Sequence, residues 1–197
     1  MSLHCPSAFP IAQVVIDLSI YQKNLLYVLL VLMMKACPYA IPIYIPQEPG
    51  QSLQSYKISL GYHIHDDQIE GDAAYNDRMN GIMALLGAIV QTKSTIGAPN
   101  PYGIGNGWTW LASILNVRPQ AITPFIICSF LETAGYKLWK AYNGNFLKIL
   151  KYLRSHYLEL LPAGSIAART RLEIYINEFL CHDPPRVQPP EGCDLPP

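Results

Sequence analysis

Residues 101–116 read PYGIGNGWTWLASILN. Glycines stand at 103, 105 and 107, and a run with two tryptophans follows. Two readings compete. Glycines that open a helix can cradle a phosphate, which would make the chain a nucleotide-using enzyme. They can equally be the turn and cap ahead of a buried helix. A dinucleotide fingerprint needs G-x-G-x-x-G directly after a strand and at a helix start. Here the order is G-x-G-x-G, and Ala98-Pro99-Asn100-Pro101 occupies the place where a strand would have to end. No Gly-Lys-Ser/Thr follows, so a P-loop is excluded. The stretch therefore predicts a helix over Trp108–Asn116, with Asn106 as its N-cap. Trp108, Leu111, Ala112 and Leu115 fall on one face, with Trp110 and Ile114 beside it.

With a buried helix here, the rest of the chain reads as successive helices. Pro10–Met34 forms one long helix or two. CPYAIPIYIPQEPG (37–50) is an extended connector, because each proline lacks a donor and restricts the residue before it. A helix follows over 74–93, where Met79, Ile82, Met83, Leu86, Ile89 and Val90 recur at three- and four-residue steps. Ile122–Tyr142 is the next. Phe146, Ile149, Leu150, Leu153, Tyr157 and Leu160 line a helix over 145–160. Pro162-Ala-Gly164 breaks the pattern, and Ile166–Leu180 is the last helix. The final fifteen residues, DPPRVQPPEGCDLPP, hold six prolines and predict disorder. The expected fold class is all-α, an irregular HEAT-like helical array, with no βαβ alternation.

Composition bounds the function. The 197 residues suit one domain, and half of them are hydrophobic while only 14% are charged. Fourteen basic residues balance fourteen acidic ones, so a global basic field is absent and any nucleic-acid site must be a local patch. Five scattered cysteines, without a C-x-x-C pair, suggest neither a disulfide framework nor a zinc site. The start lacks the basic residues of a signal peptide. The apolar run Leu25–Met34 is half the ~20 residues a bilayer span needs.

Two charged regions stand out. The stretch 58–77 carries five carboxylates and no Lys or Arg, with His63 and His65 beside Asp66, Asp67, Glu70 and Asp72. Its spacing matches no recognised coordination pattern, so it reads as an acidic loop facing a basic partner in preference to a metal site. A metal-dependent hydrolase would rest on this cluster alone. The stretch 133–171 is the counterpart: Lys137, Lys140, Lys148, Lys151, Arg154, Arg169 and Arg171 against Glu159. It reads as a solvated helix face or as a docking surface for an acidic protein, an RNA backbone or a polyphosphate. No nucleophile–base arrangement occurs: neither G-x-S-x-G nor a catalytic-cysteine signature is present.

Four stretches together resemble one family: KACPYAIPIY (35–44), LGYHIHDDQIEGDAAYNDRMNGIMALLGAIVQ (60–91), GNGWTWLASILN (105–116) and ARTRLEIYINEFL (168–180). Their order and spacing are similar to the C-terminal domain of the GLE-one nuclear-pore mRNA export mediators. The resemblance implies a HEAT-like domain over 1–183, followed by the proline-rich tail 184–197. That domain is similar to the middle domain of the initiation-factor scaffold. It also implies a non-catalytic protein at the cytoplasmic face of the nuclear pore, in cytoplasm and nucleus. There it stimulates the ATPase of a DEAD-box RNA helicase by holding the two lobes apart. Nucleoporins and translation initiation or termination factors are the further partners implied. Membrane insertion and sequence-specific nucleic-acid binding are not expected.

Carried over residue by residue, the helicase contact falls on Ala167, Thr170 and Ile174 of the last helix. In fungal members inositol hexakisphosphate bridges the contact through a basic pair before Cys-Pro. Lys35 matches the first member of that pair and Ala36 replaces the second, so the site is incomplete. Lys57 matches a further basic position. The family's front helices, coiled coil and nucleoporin-binding region have no counterpart in this sequence. The resemblance thus implies an N-terminally truncated domain whose Leu25–Met34 loses part of its cover. The alternative is a helical scaffold that binds nucleoporins or translation factors without activating a helicase.

Overall fold

A computed structural model describes residues 7–182 and 184–193. Among them are eight α-helices: α1 (Ala8–Tyr21), α2 (Lys23–Ala36), α3 (Leu53–Ser59), α4 (Asp72–Gln91), α5 (Ile104–Leu115), α6 (Thr123–Tyr142), α7 (Gly144–Ser155) and α8 (Ile166–Leu180). One two-stranded hairpin, β1 (Ile64–His65) and β2 (Gln68–Ile69), precedes α4. The all-α expectation holds. No helix is long and apolar enough to cross a membrane among the described residues.

The centre is the pair α4 and α6, each twenty residues long. Small residues let them approach closely. A Cβ added to Gly87 of α4 would lie 2.5 Å from Thr133 Oγ1 and 3.1 Å from the Phe130 carbonyl oxygen, both on α6. Met79, Met83, Leu86, Ile89 and Val90 bury the stripe read from the sequence, and Ile82 is half-buried. Helix α1 covers α4 through Ala12 and Ile16. Its Asp17 accepts hydrogen bonds from Ser94 Oγ, Thr95 N and Thr95 Oγ1, fixing the connection out of α4. Gln22 leaves helical geometry (φ −119°, ψ 84°), so Pro10–Met34 is two helices.

Several boundaries differ from the sequence reading, each for a local reason. Helix α5 starts at Ile104, with Gly103 as N-cap, and Asn106 lies within its first turn, its N–H donating to Gly103 O at 2.9 Å. The buried face is Gly107, Trp110, Leu111 and Ile114, while Trp108 is half-buried and packs on Tyr142. Gly107 belongs to that face because a Cβ there would sit 3.0 Å from Val90 Cγ2 and 3.3 Å from Phe130 Cζ. Helix α7 ends at Ser155, where His156 departs from helical geometry. A 3-10 turn then carries Tyr157–Leu160, and Leu160 is exposed. The acidic loop is a hairpin, since Asp66 and Asp67 both adopt positive φ (48° and 61°), the conformation a two-residue turn between strands requires.

Disorder is the expectation for 184–197. Residues 184–193 have no regular secondary structure, yet Pro185 is buried, Val187 and Cys193 pack on the core, and Gly192 lies against Phe9 of α1. Residues 194–197 lie outside the described residues.

Candidate functional site

The three residues placed on the last helix do share one face. Ala167, Thr170 and Ile174 are all exposed, while Ala168, Leu172, Ile176 and Phe179 on the other side of α8 are buried. They line one wall of a groove of about 980 Å³. Residues 186–191 of the proline-rich segment line it too, as do Glu132 and Tyr136 of α6. Helix α8 is pinned there by Arg171, whose Nε donates to Glu132 Oε1 at 2.7 Å and whose Nη2 donates to the other carboxylate oxygen. Tyr175 Oη donates to Leu131 O at 2.6 Å, close over Gly135. The wall is thus held rigidly to the core while its outer residues stay open. Neither the Arg171–Glu132 pair nor the proline wall was legible from sequence.

The motifs behind the family resemblance converge elsewhere, around Tyr39. Trp110 Nε1 donates to Tyr39 O at 2.9 Å, Tyr75 Oη donates to Leu60 O at 2.9 Å, and the Tyr75 and Tyr39 hydroxyls are hydrogen-bonded to each other at 3.1 Å. Arg78 joins the same region, donating to Ala36 O at 3.0 Å, to Gly61 O at 2.8 Å and to both oxygens of Glu70. The Arg78 hydrogen bonds hold the Glu70 carboxyl below its ordinary pKa. Burial raises the Cys37 thiol to about 11. These residues join α2, α4, α5 and the hairpin. Their role is architectural.

The inositol phosphate site can be tested against that geometry. Lys35 is exposed and, among the described residues, forms no ion pair. Lys57 is held by Asp72, Nζ to Oδ1 at 2.7 Å, and Arg78 is saturated by Glu70 and two carbonyls. A hexakisphosphate needs several cations converging on it, and of Lys35, Lys57 and Arg78 only Lys35 is outside an ion pair. The site on this chain is therefore incomplete, with Lys35 as its one free cation among these positions.

The His63–Asp72 cluster is likewise committed. His63 N donates to Glu70 Oε2 at 3.1 Å, Asp72 accepts from Lys57 and Tyr62, and Asp66 and Asp67 form the turn. Among the described residues no group of three or more His, Cys, Asp or Glu could hold a metal ion.

Comparison with known proteins places this architecture. Residues 1–154 match the family described as GLE1-like protein. The rat mRNA export factor GLE1 is 30% identical over 195 residues, covering 96% of this chain and 28% of its own length. The Drosophila melanogaster factor is 32% identical over 179 residues (88% and 26%), and the Danio rerio factor 35% over 155 (77% and 22%). The chain thus spans about a quarter of the length of these relatives. A solved structure of a Saccharomyces cerevisiae Dbp5 C-terminal domain variant bound to Gle1 and IP6 matches with TM-score 0.79 and 19% identity. It covers 93% of this chain and 63% of that chain. A second, containing a Gle1 variant, matches with TM-score 0.81 and 18% identity, covering 95% and 65%. These matches show that the fold is shared.

Proposed function

This chain belongs to the GLE1-like protein family, and on that premise we propose that it is a non-catalytic helical domain acting in mRNA export. It grips a DEAD-box RNA helicase and raises its ATPase turnover at the cytoplasmic face of the nuclear pore. The relatives are named mRNA export factors, and the fold neighbour is seen with the helicase Dbp5. The observation that carries the reading is the open ridge Ala167–Thr170–Ile174. Its residues are exposed, and the helix beneath is fixed by Arg171–Glu132. A rigid, mildly apolar ridge can bind one arrangement of two lobes better than another, and that difference alone shifts their equilibrium.

The test is the RNA-stimulated ATPase of a DEAD-box helicase titrated with this chain. Turnover rises to a plateau, and Ile174→Asp moves the half-maximal concentration up by about tenfold or more, the effect of ~1.4 kcal/mol or more lost on burying a charge at the contact. Added inositol hexakisphosphate leaves the wild-type curve unchanged. Turnover that stays flat at saturating protein overturns the reading.

A second reading, a scaffold that binds nucleoporins or translation factors without activating a helicase, is favoured by the neutralised cations Lys57 and Arg78. Helicase binding without a rise in turnover would select it.

A further inference from the structure

Helix α7 carries a surface that neither the groove nor the Tyr39 region uses. Phe146, Leu150 and Leu153 face the core. At 100° per residue, Lys148, Lys151, Tyr152 and Ser155 occupy the opposite side, with Arg154 flanking them. All five are exposed. Among the described residues, none of the three cations is in an ion pair. Glu159 is the sole acidic residue between 133 and 171.

The face also carries aromatic rings. Tyr152 is 45% exposed, and the His156 ring stacks on it with centroids 5.6 Å apart and planes 13° apart. The arrangement is locked from below: Ser155 Oγ donates to Lys151 O at 2.8 Å and lies 2.6 Å from His156 Nδ1. An ordered pair of rings therefore stands at the surface on the same helix face as Lys148 and Lys151, with Arg154 on its far flank. A docking face for an acidic protein needs the charges only. A flat ring stack alongside lysines suits a strand whose bases stack while its phosphates meet those lysines.

We propose that the exposed face of α7, centred on Lys148, Lys151 and the Tyr152–His156 stack, binds single-stranded RNA without sequence preference. The surface lies on a different helix from the α8 ridge, so its failure and the failure of the helicase reading are separable.

The experiment is fluorescence anisotropy of a labelled twelve-nucleotide oligo(A) with the full chain at 50 and 200 mM salt. Two or three phosphate contacts at a slope of about 0.7 each predict a loss of roughly 7- to 18-fold in affinity across that fourfold change in salt. Lys148→Glu/Lys151→Glu abolishes binding, and Tyr152→Ala weakens it at least about fivefold. Both leave the circular dichroism spectrum unchanged, because the side chains replaced are outside the core. Absence of binding at 50 mM salt overturns the proposal. So does binding that survives the double charge reversal. Poly-glutamate that competes as well as RNA, with Tyr152→Ala inert, would make the face an acidic-protein surface and overturn it too.

Discussion

Two alanine substitutions on one helix separate packing from helix propensity. Gly81 and Gly87 both lie within α4. A Cβ at Gly81 has nothing within 4 Å, whereas at Gly87 it meets Thr133 Oγ1 at 2.5 Å, Thr133 Cβ at 3.0 Å and Phe130 O at 3.1 Å. Both gain about 0.5–1 kcal/mol from replacing glycine by alanine in a helix. Only Gly87→Ala must also push α6 away by roughly 1 Å, against side chains held in a close-packed core. Thr133 cannot simply swing aside, since its hydroxyl donates to Ser129 O at 2.7 Å. Overpacking of this kind costs about 1–3 kcal/mol, and the backbone oxygen among the contacts puts Gly87→Ala at the upper end. The net expectations are a gain of ~0.5–1 kcal/mol for Gly81→Ala and a loss of ~2–2.5 kcal/mol for Gly87→Ala. For a chain of this size each kcal/mol moves Tm by about 2–4 °C. Thermal unfolding by circular dichroism should therefore place the two variants on opposite sides of wild type. Adding Thr133→Ala to Gly87→Ala should recover part of the loss. If Gly87→Ala is as stable as Gly81→Ala, the close approach of α4 and α6 is not the constraint inferred.

Trp110→Phe removes the donor to Tyr39 O while keeping the ring against Phe130. It should cost about 1–3 kcal/mol in urea unfolding with an unchanged m-value. Acid should destabilise the chain through Glu70. Its folded pKa is depressed by Arg78, so its contribution is present above the unfolded value of about 4.3 and is lost as pH falls through the lower, folded value. Urea midpoints of Glu70→Gln should therefore lie below wild type at pH 6–7 and converge with it as the pH is lowered; parallel curves would show that Glu70 is not involved.

The helices most legible in the sequence are those whose apolar spacing and breakers agree. Ile166–Leu180 is bounded by Pro162-Ala-Gly164, and its three- and four-residue steps placed Ala167, Thr170 and Ile174 on one side. Local signals mislead where they disagree with tertiary need. Gly105 and Gly107 look like turn residues, but Gly107 is the point where α5 meets Val90 and Phe130, so the helix extends through them. Tyr157 and Leu160 continue the apolar spacing of α7 beyond its end at Ser155. The hairpin carries Asp-Asp where Asn-Gly is the usual signal, and its two-residue strands are too short to show a period. Helix α3 is seven residues long with no buried side, which leaves no stripe to read, and Ser52 capping Ser55 N is its only local mark. Of the candidate site, the resemblance supplied Ala167, Thr170 and Ile174, and helix spacing needs only one helix to put them on one exposed face. The groove was not legible. Arg171 and Glu132 are thirty-nine residues apart, and prolines that lie against a fold have the same composition as prolines that do not.

Gly192 and Phe9 are 183 positions apart, yet a Cβ placed on Gly192 would lie 3.6 Å from the Phe9 ring. The chain is open as a string but closed as an object, like a belt whose tongue reaches its buckle. The proline segment is fastened at that buckle and also borders Ile174. The same segment thus borders the α8 ridge along the groove and, at Gly192, the first turn of α1, the helix that exposes Ile11, Val14 and Leu18 on its outer side. Two helices far apart in the sequence are bordered by one proline segment.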